Sequence, residues 1–130
     1  MRVISSLIFY LVLLMQFSIA GEIPHIYHIP PKTLIQNNPA EITCVITPGD
    51  SQLKWVKIFL RDDSSELYKE FNMQYRDGIW FLPLIPEMVS GNYLDYFIIA
   101  EFEDFTALAF PPERPAEKPI RVQIVSTKKI

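Results

Sequence analysis

Two stretches of this chain, Leu53–Arg61 and Tyr93–Phe102, alternate in side-chain character residue by residue, and that period of two constrains the fold more than any other feature. Along the first, Val56, Ile58 and Leu60 fall on one side, with Trp55, Lys57, Phe59 and Arg61 on the other. Along the second, Leu94, Tyr96, Ile98, Ala100 and Phe102 share a side. A helix would scatter these residues around its circumference, whereas a strand sends successive side chains to opposite faces of a sheet. The even-numbered positions are therefore expected to face a core and the odd-numbered ones to face outward.

The rest of the chain is punctuated for the same architecture. Ile23–His28 reads as an edge strand, because Pro24 and Pro30 lack the amide protons that an interior ladder requires. Ala40–Thr47 reads as a central strand closed by Pro48-Gly49-Asp50. Asp62-Asp63-Ser64-Ser65 turns the chain into a returning strand, Leu67–Met73. Asp77-Gly78 is a hairpin signal ahead of Ile79–Leu82, which Pro83 and Pro86 end or bulge. Glu103-Asp104 leads into Phe105–Phe110, a proline-rich stretch spans 111–119, and Ile120–Ser126 alternates again. The last two segments are expected to be pieces of one final strand separated by a stiff crossing between sheets. These signals predict an all-β, antiparallel sandwich of about seven strands over residues 21–130.

Ahead of it, residues 1–20 have the parts of a secretory signal peptide: Arg2, an apolar run from Leu7 to Met15, and small residues at Ser18 and Ala20. Cleavage after Ala20 is expected, which makes the product exported: periplasmic, at the cell surface or secreted. Removing the leader takes away Arg2 and leaves 11 basic against 15 acidic side chains, a net of −4. Such a surface repels phosphate backbones and anionic lipid, which argues against nucleic acid or a membrane as the mature chain's partner. Cys44 is the only cysteine, so no internal disulfide forms. Flanked by Ile42, Thr43, Val45 and Ile46, it reads as a small buried hydrophobe.

The inventory for chemistry is thin. His25 and His28 lie three apart on a strand, which points them to opposite faces, and no cysteine near them helps to complete a zinc site. They are expected to be surface residues of the edge strand. Asp62, Asp63, Glu101, Glu103 and Asp104 would need to share one end of the sandwich to hold calcium, and no Asp-x-Asp-x-Asp-Gly loop is present, so they read as solvated turn acids. Ser51, Ser64, Ser65 and Ser90 sit in turns without a glycine elbow or a histidine tied to them. The expectation is a non-enzyme without cofactor or metal.

The informative feature is the outward row. Trp55 and Phe59 on one strand, with Phe97 and Ile99 on another, share a sheet face if these strands pair, and Ala107 or Leu108 would extend it. Four such side chains bury on the order of 400 Å², about 10 kcal/mol gross, against roughly 4–15 kcal/mol lost on association. The row alone supports a weak contact. Edge addition of a partner strand is the lesser possibility, because Pro24 on the first strand and Arg121 and Gln123 on the closing strand blunt it.

Several of these positions together resemble the immunoglobulin-like or fibronectin type III-like modules of bacterial exported proteins. The likeness runs from Ala40 to Pro119 and rests on Val56-x-Ile58-x-Leu60-Arg61, Met73, Asp77-Gly78-x-Trp80, Ile85-Pro86 and Leu94-Asp95-Tyr96-Phe97-Ile98-Ile99-Ala100-Glu101. Two departures stand out: Phe105 follows Asp104 where those modules carry glycine, and Pro83 falls inside a segment one residue longer. In antibody-like domains Cys44 would bridge to the position of Ile98, two residues after a corner tyrosine that Tyr96 resembles. The resemblance implies a spacer, adhesion domain or docking platform of the cell envelope and brings no catalytic residue. The reading is a non-catalytic module that binds a protein or neighbouring domain through Trp55, Phe59, Phe97 and Ile99. The alternative is a carbohydrate-binding module that stacks sugars on Trp55, Phe59 and Tyr75 or Trp80.

Overall fold

The computed structural model describes residues 23–126, so the expected leader, residues 1–20, lies outside the described residues. The two alternating stretches become the two longest strands, β4 (Leu53–Asp62) and β8 (Tyr93–Phe102), paired antiparallel over their whole length. Around them are β1 (His25–Tyr27), β2 (Thr33–Ile35), β3 (Ala40–Thr47), β5 (Lys69–Asn72), β6 (Gln74–Arg76), β7 (Ile79–Leu84), β9 (Ala107–Phe110) and β10 (Ile120–Val125), with one 3₁₀ turn at Pro86–Val89. They form two mostly antiparallel sheets, β1-β3-β7-β6 and β2-β10-β8-β4-β5, with β9 also on β8. The parity expected of the long strands is realised. Val56, Ile58 and Leu60 are buried, as are Leu94, Tyr96, Ile98, Ala100 and Phe102. They meet Ile42, Cys44, Leu82 and Leu84 of the other sheet in one core.

The structure corrects several expectations. The final strand does not cross between sheets. β9 pairs with Ile98–Glu101 and β10 with Tyr93–Tyr96 along the same side of β8, so residues 111–119 are an excursion from one interrupted strand. The closing strand is not an edge, because β2, a three-residue strand too short to show a period, covers it in parallel. Pro83 neither ends nor bulges β7; it pairs opposite Glu41 with its ring side exposed. The turn acids do not gather at one end. Asp62 lies opposite Leu94 and Leu53 opposite Phe102, which puts Asp62 and Asp63 a whole ladder away from Glu103 and Asp104.

Local chemistry explains the turns. Asp77 and Gly78 both adopt positive φ, 52° and 86°, between the paired residues Arg76 and Ile79, the two-residue turn whose twist matches a hairpin. Phe105 takes φ 69° at the β8–β9 hairpin where glycine would sit without strain, and its ring is exposed. At the other end of the sheet, Asp63 accepts hydrogen bonds from the Asn92 backbone (3.2 Å) and side-chain amide (2.7 Å), which holds its carboxyl below the usual range. A Cβ at Gly91 beside them would overlap Asp63 Oδ1, so a side chain there would have to displace this carboxylate from its bonds to Asn92.

His28 is also misread as a surface residue. It lies where the chain leaves β1 for the other sheet, and its ring is half-buried against Tyr96 and Phe110. Nδ1 is 2.6 Å from the carbonyl of Thr43 in one sheet, and Nε2 is 2.6 Å from the hydroxyl of Tyr96 in the other. A carbonyl only accepts, so Nδ1 carries the proton and Nε2 receives the tyrosine hydroxyl. Burial pushes the His28 pKa below the ordinary 6.5, only partly offset by the bond to Thr43. As pH falls from about 6.5 the unfolded chain binds this proton before the folded one does. Stability is therefore expected to hold steady above pH 7, to decline as pH falls below about 6.5, and to lose that component of slope in His28→Gln. Urea midpoints measured across this range check it.

Candidate functional site

The outward face of the larger sheet is built by register. On β4, Trp55 lies opposite Glu101 of β8, Lys57 opposite Ile99, Phe59 opposite Phe97 and Arg61 opposite Asp95. β5 adds Asn72 beside Lys57 and Glu70 beside Phe59. β9 places Ala109 beside Ile99 and Ala107 beside Glu101, while Leu108 lies opposite core residue Ala100 and does not extend the row. All four residues expected to bind a partner, Trp55, Phe59, Phe97 and Ile99, thus share this face.

They are not equally available. Phe59 and Phe97 stack with centroids 4.9 Å apart and planes 9° from parallel. Tyr68, arriving on the loop before β5, sets its edge against Phe97 at 4.9 Å and donates its hydroxyl to the carbonyl of Ala116 (2.8 Å). That bond ties the 111–119 excursion onto the same face. Phe97 is left 7% exposed, whereas Trp55, Phe59 and Ile99 are half-buried and reachable. Phe97 is thus the floor on which the reachable row stands. Tyr68 carries no periodic signal, since it lies outside any strand, and its role was not legible in the sequence.

Charges frame the row. Lys57 bonds Glu70 (2.9 Å) and places its ammonium 4.5 Å from the centre of the Trp55 ring, and Lys54 pairs with Glu101 (3.4 Å). At the far end Asp95, 1% exposed, is gripped by Arg121 through two bonds of 2.7 and 2.9 Å and by Arg61 at 3.4 Å. Arg61 also donates to the Glu66 carbonyl (2.9 Å) and lies over Tyr68, and Arg121 lies over Tyr93. A depression of about 600 Å³ opens beside them, lined by Arg61, Asp63, Glu66, Tyr93, Asp95 and Arg121 among others. Its ion pairs are mutually engaged, and Ser64 at its wall is bonded to Asp62.

Elsewhere, both ring nitrogens of His28 are committed, and burial pushes the Cys44 thiol up to about 12, which keeps it protonated at neutral pH. No group of three or more metal-ligating side chains occurs among the described residues. The aromatics of the carbohydrate alternative do not share a surface. Tyr75 and Trp80 pack together (5.0 Å) on β6 and β7 of the smaller sheet, with Trp80 against the core, while Trp55 and Phe59 face outward from the larger one.

No family model matches this chain, and no curated protein matches it. Among solved structures it is similar to the crystal structure of an engineered protein from the Northeast Structural Genomics Consortium, with 12% identity and a TM-score of 0.52 over 84% of this chain. The match covers 21% of that protein, so the chain spans about a fifth of its length. At this identity the likeness concerns the fold alone.

Proposed function

We propose, starting from a sandwich whose likeness to known proteins reaches the fold and no further, that the chain is an exported, non-catalytic immunoglobulin/fibronectin III-like module. It holds a protein partner or neighbouring domain at the cell envelope through Trp55, Phe59 and Ile99. The strand order supports the fold assignment: β1-β3-β7-β6 follows the A-B-E-D sheet of such domains, and β10-β8-β4-β5 follows G-F-C-C′. Cys44 without a partner cysteine is the departure, and apolar burial replaces the bridge.

The observation that carries the interaction is the row of half-buried Trp55, Phe59 and Ile99 on a stacked aromatic floor. Its members are held in place before binding, so little side-chain freedom is lost on contact. Sugar stacking is disfavoured by Lys57, whose ammonium already occupies a face of the Trp55 ring. The test captures partners from the exported fraction on the immobilised chain. Phe59→Ala and Trp55→Ala are expected to lose the captured protein at least tenfold with the unfolding midpoint changed little. Unchanged capture in both variants, or glycan binding that quenches tryptophan fluorescence, overturns the proposal.

A further inference from the structure

The interrupted last strand is not covered alike along its two pieces. β2 lies along β10 from Gln123 to Val125, whereas β9 pairs with β8 on one side and with no strand on the other. The cause is the crossing of the chain at His28. β1 stays on β3 in the smaller sheet and packs over β9 from there, and the chain joins the larger sheet as a strand at Thr33–Ile35. The ladder fixes which backbone groups this leaves open. Phe102 donates to the Thr106 carbonyl, and bonded pairs recur every second residue, so Leu108 and Phe110 exchange bonds with Ala100 and Ile98. The N–H and C=O groups of Ala107 and Ala109 therefore point away from β8, and no other backbone bond among the described residues reaches them. The other free edges are guarded. β1 and β2 are three residues each, behind Pro24 and Pro30-Pro31, β5 carries Lys69 and Glu70, and β6 is three residues ending in Arg76. β9, Ala-Leu-Ala-Phe, has neither charge nor proline within it.

We infer that the open edge of β9 is a strand-addition site for an extended, uncharged peptide segment of another protein, held by the backbone groups of Ala107 and Ala109. Donors and acceptors presented by alternate residues are the complement of an extended backbone. Inward side chains of the added segment join Leu108 and Phe110, which pack against the core, so apolar residues suit those positions. Outward ones lie beside Ala107 and Ala109, whose methyl groups leave room for a neighbour of any size. A second copy of this chain fits the edge poorly. Pairing Ala107 with Ala109 across a two-fold axis sets Asp104 and Phe105 of one copy against Pro112 and Pro111 of the other, where the ladder finds no amide proton. A segment that ends level with Ala109 meets no such obstacle. The edge is specified by backbone groups, so the inference stands apart from the function proposed above for Trp55, Phe59 and Ile99.

The test follows the backbone amides by NMR in the isotope-labelled chain, expressed with its leader and purified after processing. The probe is a blocked Thr-Val-Thr-Val-Thr-Val peptide added up to about 5 mM, where a contact of a few hydrogen bonds is measurable. Saturable downfield shifts are expected at the Ala107 and Ala109 amides, with smaller changes at Leu108 and Phe110, which are already bonded to β8. Ala109→Pro removes an N–H that bonds nothing in the free chain, so it is expected to weaken binding at least tenfold with the urea midpoint changed little. Ala109→Lys guards the edge without touching its backbone and is expected to weaken binding as much, which keeps the test decisive if proline perturbs β9. The same peptide N-methylated at every residue is expected not to bind. No saturable shift, shifts centred on Trp55 or on another edge, binding indifferent to both substitutions, or equal binding of the methylated peptide overturns the inference.

Discussion

Replacing Ile98 with alanine is expected to cost about 3–4 kcal/mol, seen as a lower urea midpoint at an unchanged slope. Ile98 is fully buried, and its cross-strand neighbour Ile58 is fully buried too. The position sits mid-strand in β8, with β4 on one side and Phe110 of β9 on the other, so the backbone cannot move in to fill the space. The void would open in the core that also holds Cys44. No disulfide limits the damage, because that cysteine is free, and a domain of this size has only about 5–15 kcal/mol in all. The adjacent Ile99→Ala is the internal control. Ile99 points outward and is half-buried, so its loss is expected to stay below about 1 kcal/mol. Equal costs at 98 and 99 would mean that the two faces of β8 have been confused, and the proposal that the Trp55–Phe59–Ile99 row binds a partner would fall with them.

That contrast marks what could be read from the amino acids. β8 begins and ends where alternation placed it and β4 runs one residue longer, because a strand buried on one side must repeat every second residue, while β3 ends where the Pro48-Gly49-Asp50 turn closes it. The same rule placed Trp55, Phe59, Phe97 and Ile99 on one face. Elements without a period escaped. β2 and β6 are three residues each, and β2 is specified by the neighbour it covers more than by its own sequence. The burial of Phe97 was not legible because it depends on Tyr68 and Ala116, which are remote in sequence and brought together by a single hydroxyl bond. His28 escaped for the same reason: its partners Thr43 and Tyr96 come from two different sheets. Phe105 marks a tertiary override of turn chemistry, with Asp104 bonding the Thr106 backbone and Ser51 bonding that of Asp104 in a hairpin that places a phenylalanine where glycine is preferred.

Asp95→Ala is expected to destabilise the chain by about 3 kcal/mol, the lower end for breaking a buried ion pair. Asp95 is the only charged or polar residue buried in the described chain, and it accepts from Arg121 at two oxygens and from Arg61 at one. Removing it leaves two guanidinium groups facing each other, and their different exposures set the size of the loss. The Arg121 side chain is 50% exposed and swings into water, whereas that of Arg61, 24% exposed, stays pinned by the Glu66 carbonyl and the Tyr68 ring. The effect should therefore spread along the face. With Arg61 unbalanced, Tyr68 loosens, and the cover over Phe97 and the hold on Ala116 loosen with it. In a double-mutant cycle, Asp95→Ala with Arg121→Ala is expected to cost little more than Asp95→Ala alone, because the two side chains stabilise the fold as one unit. The coupling should survive 1 M salt, since one partner is out of solvent, while the exposed Lys54–Glu101 pair should show almost none there. A cost under about 1 kcal/mol for Asp95→Ala, or additive single changes, would show that Asp95 is solvated and that the far end of the face is not clamped by charge.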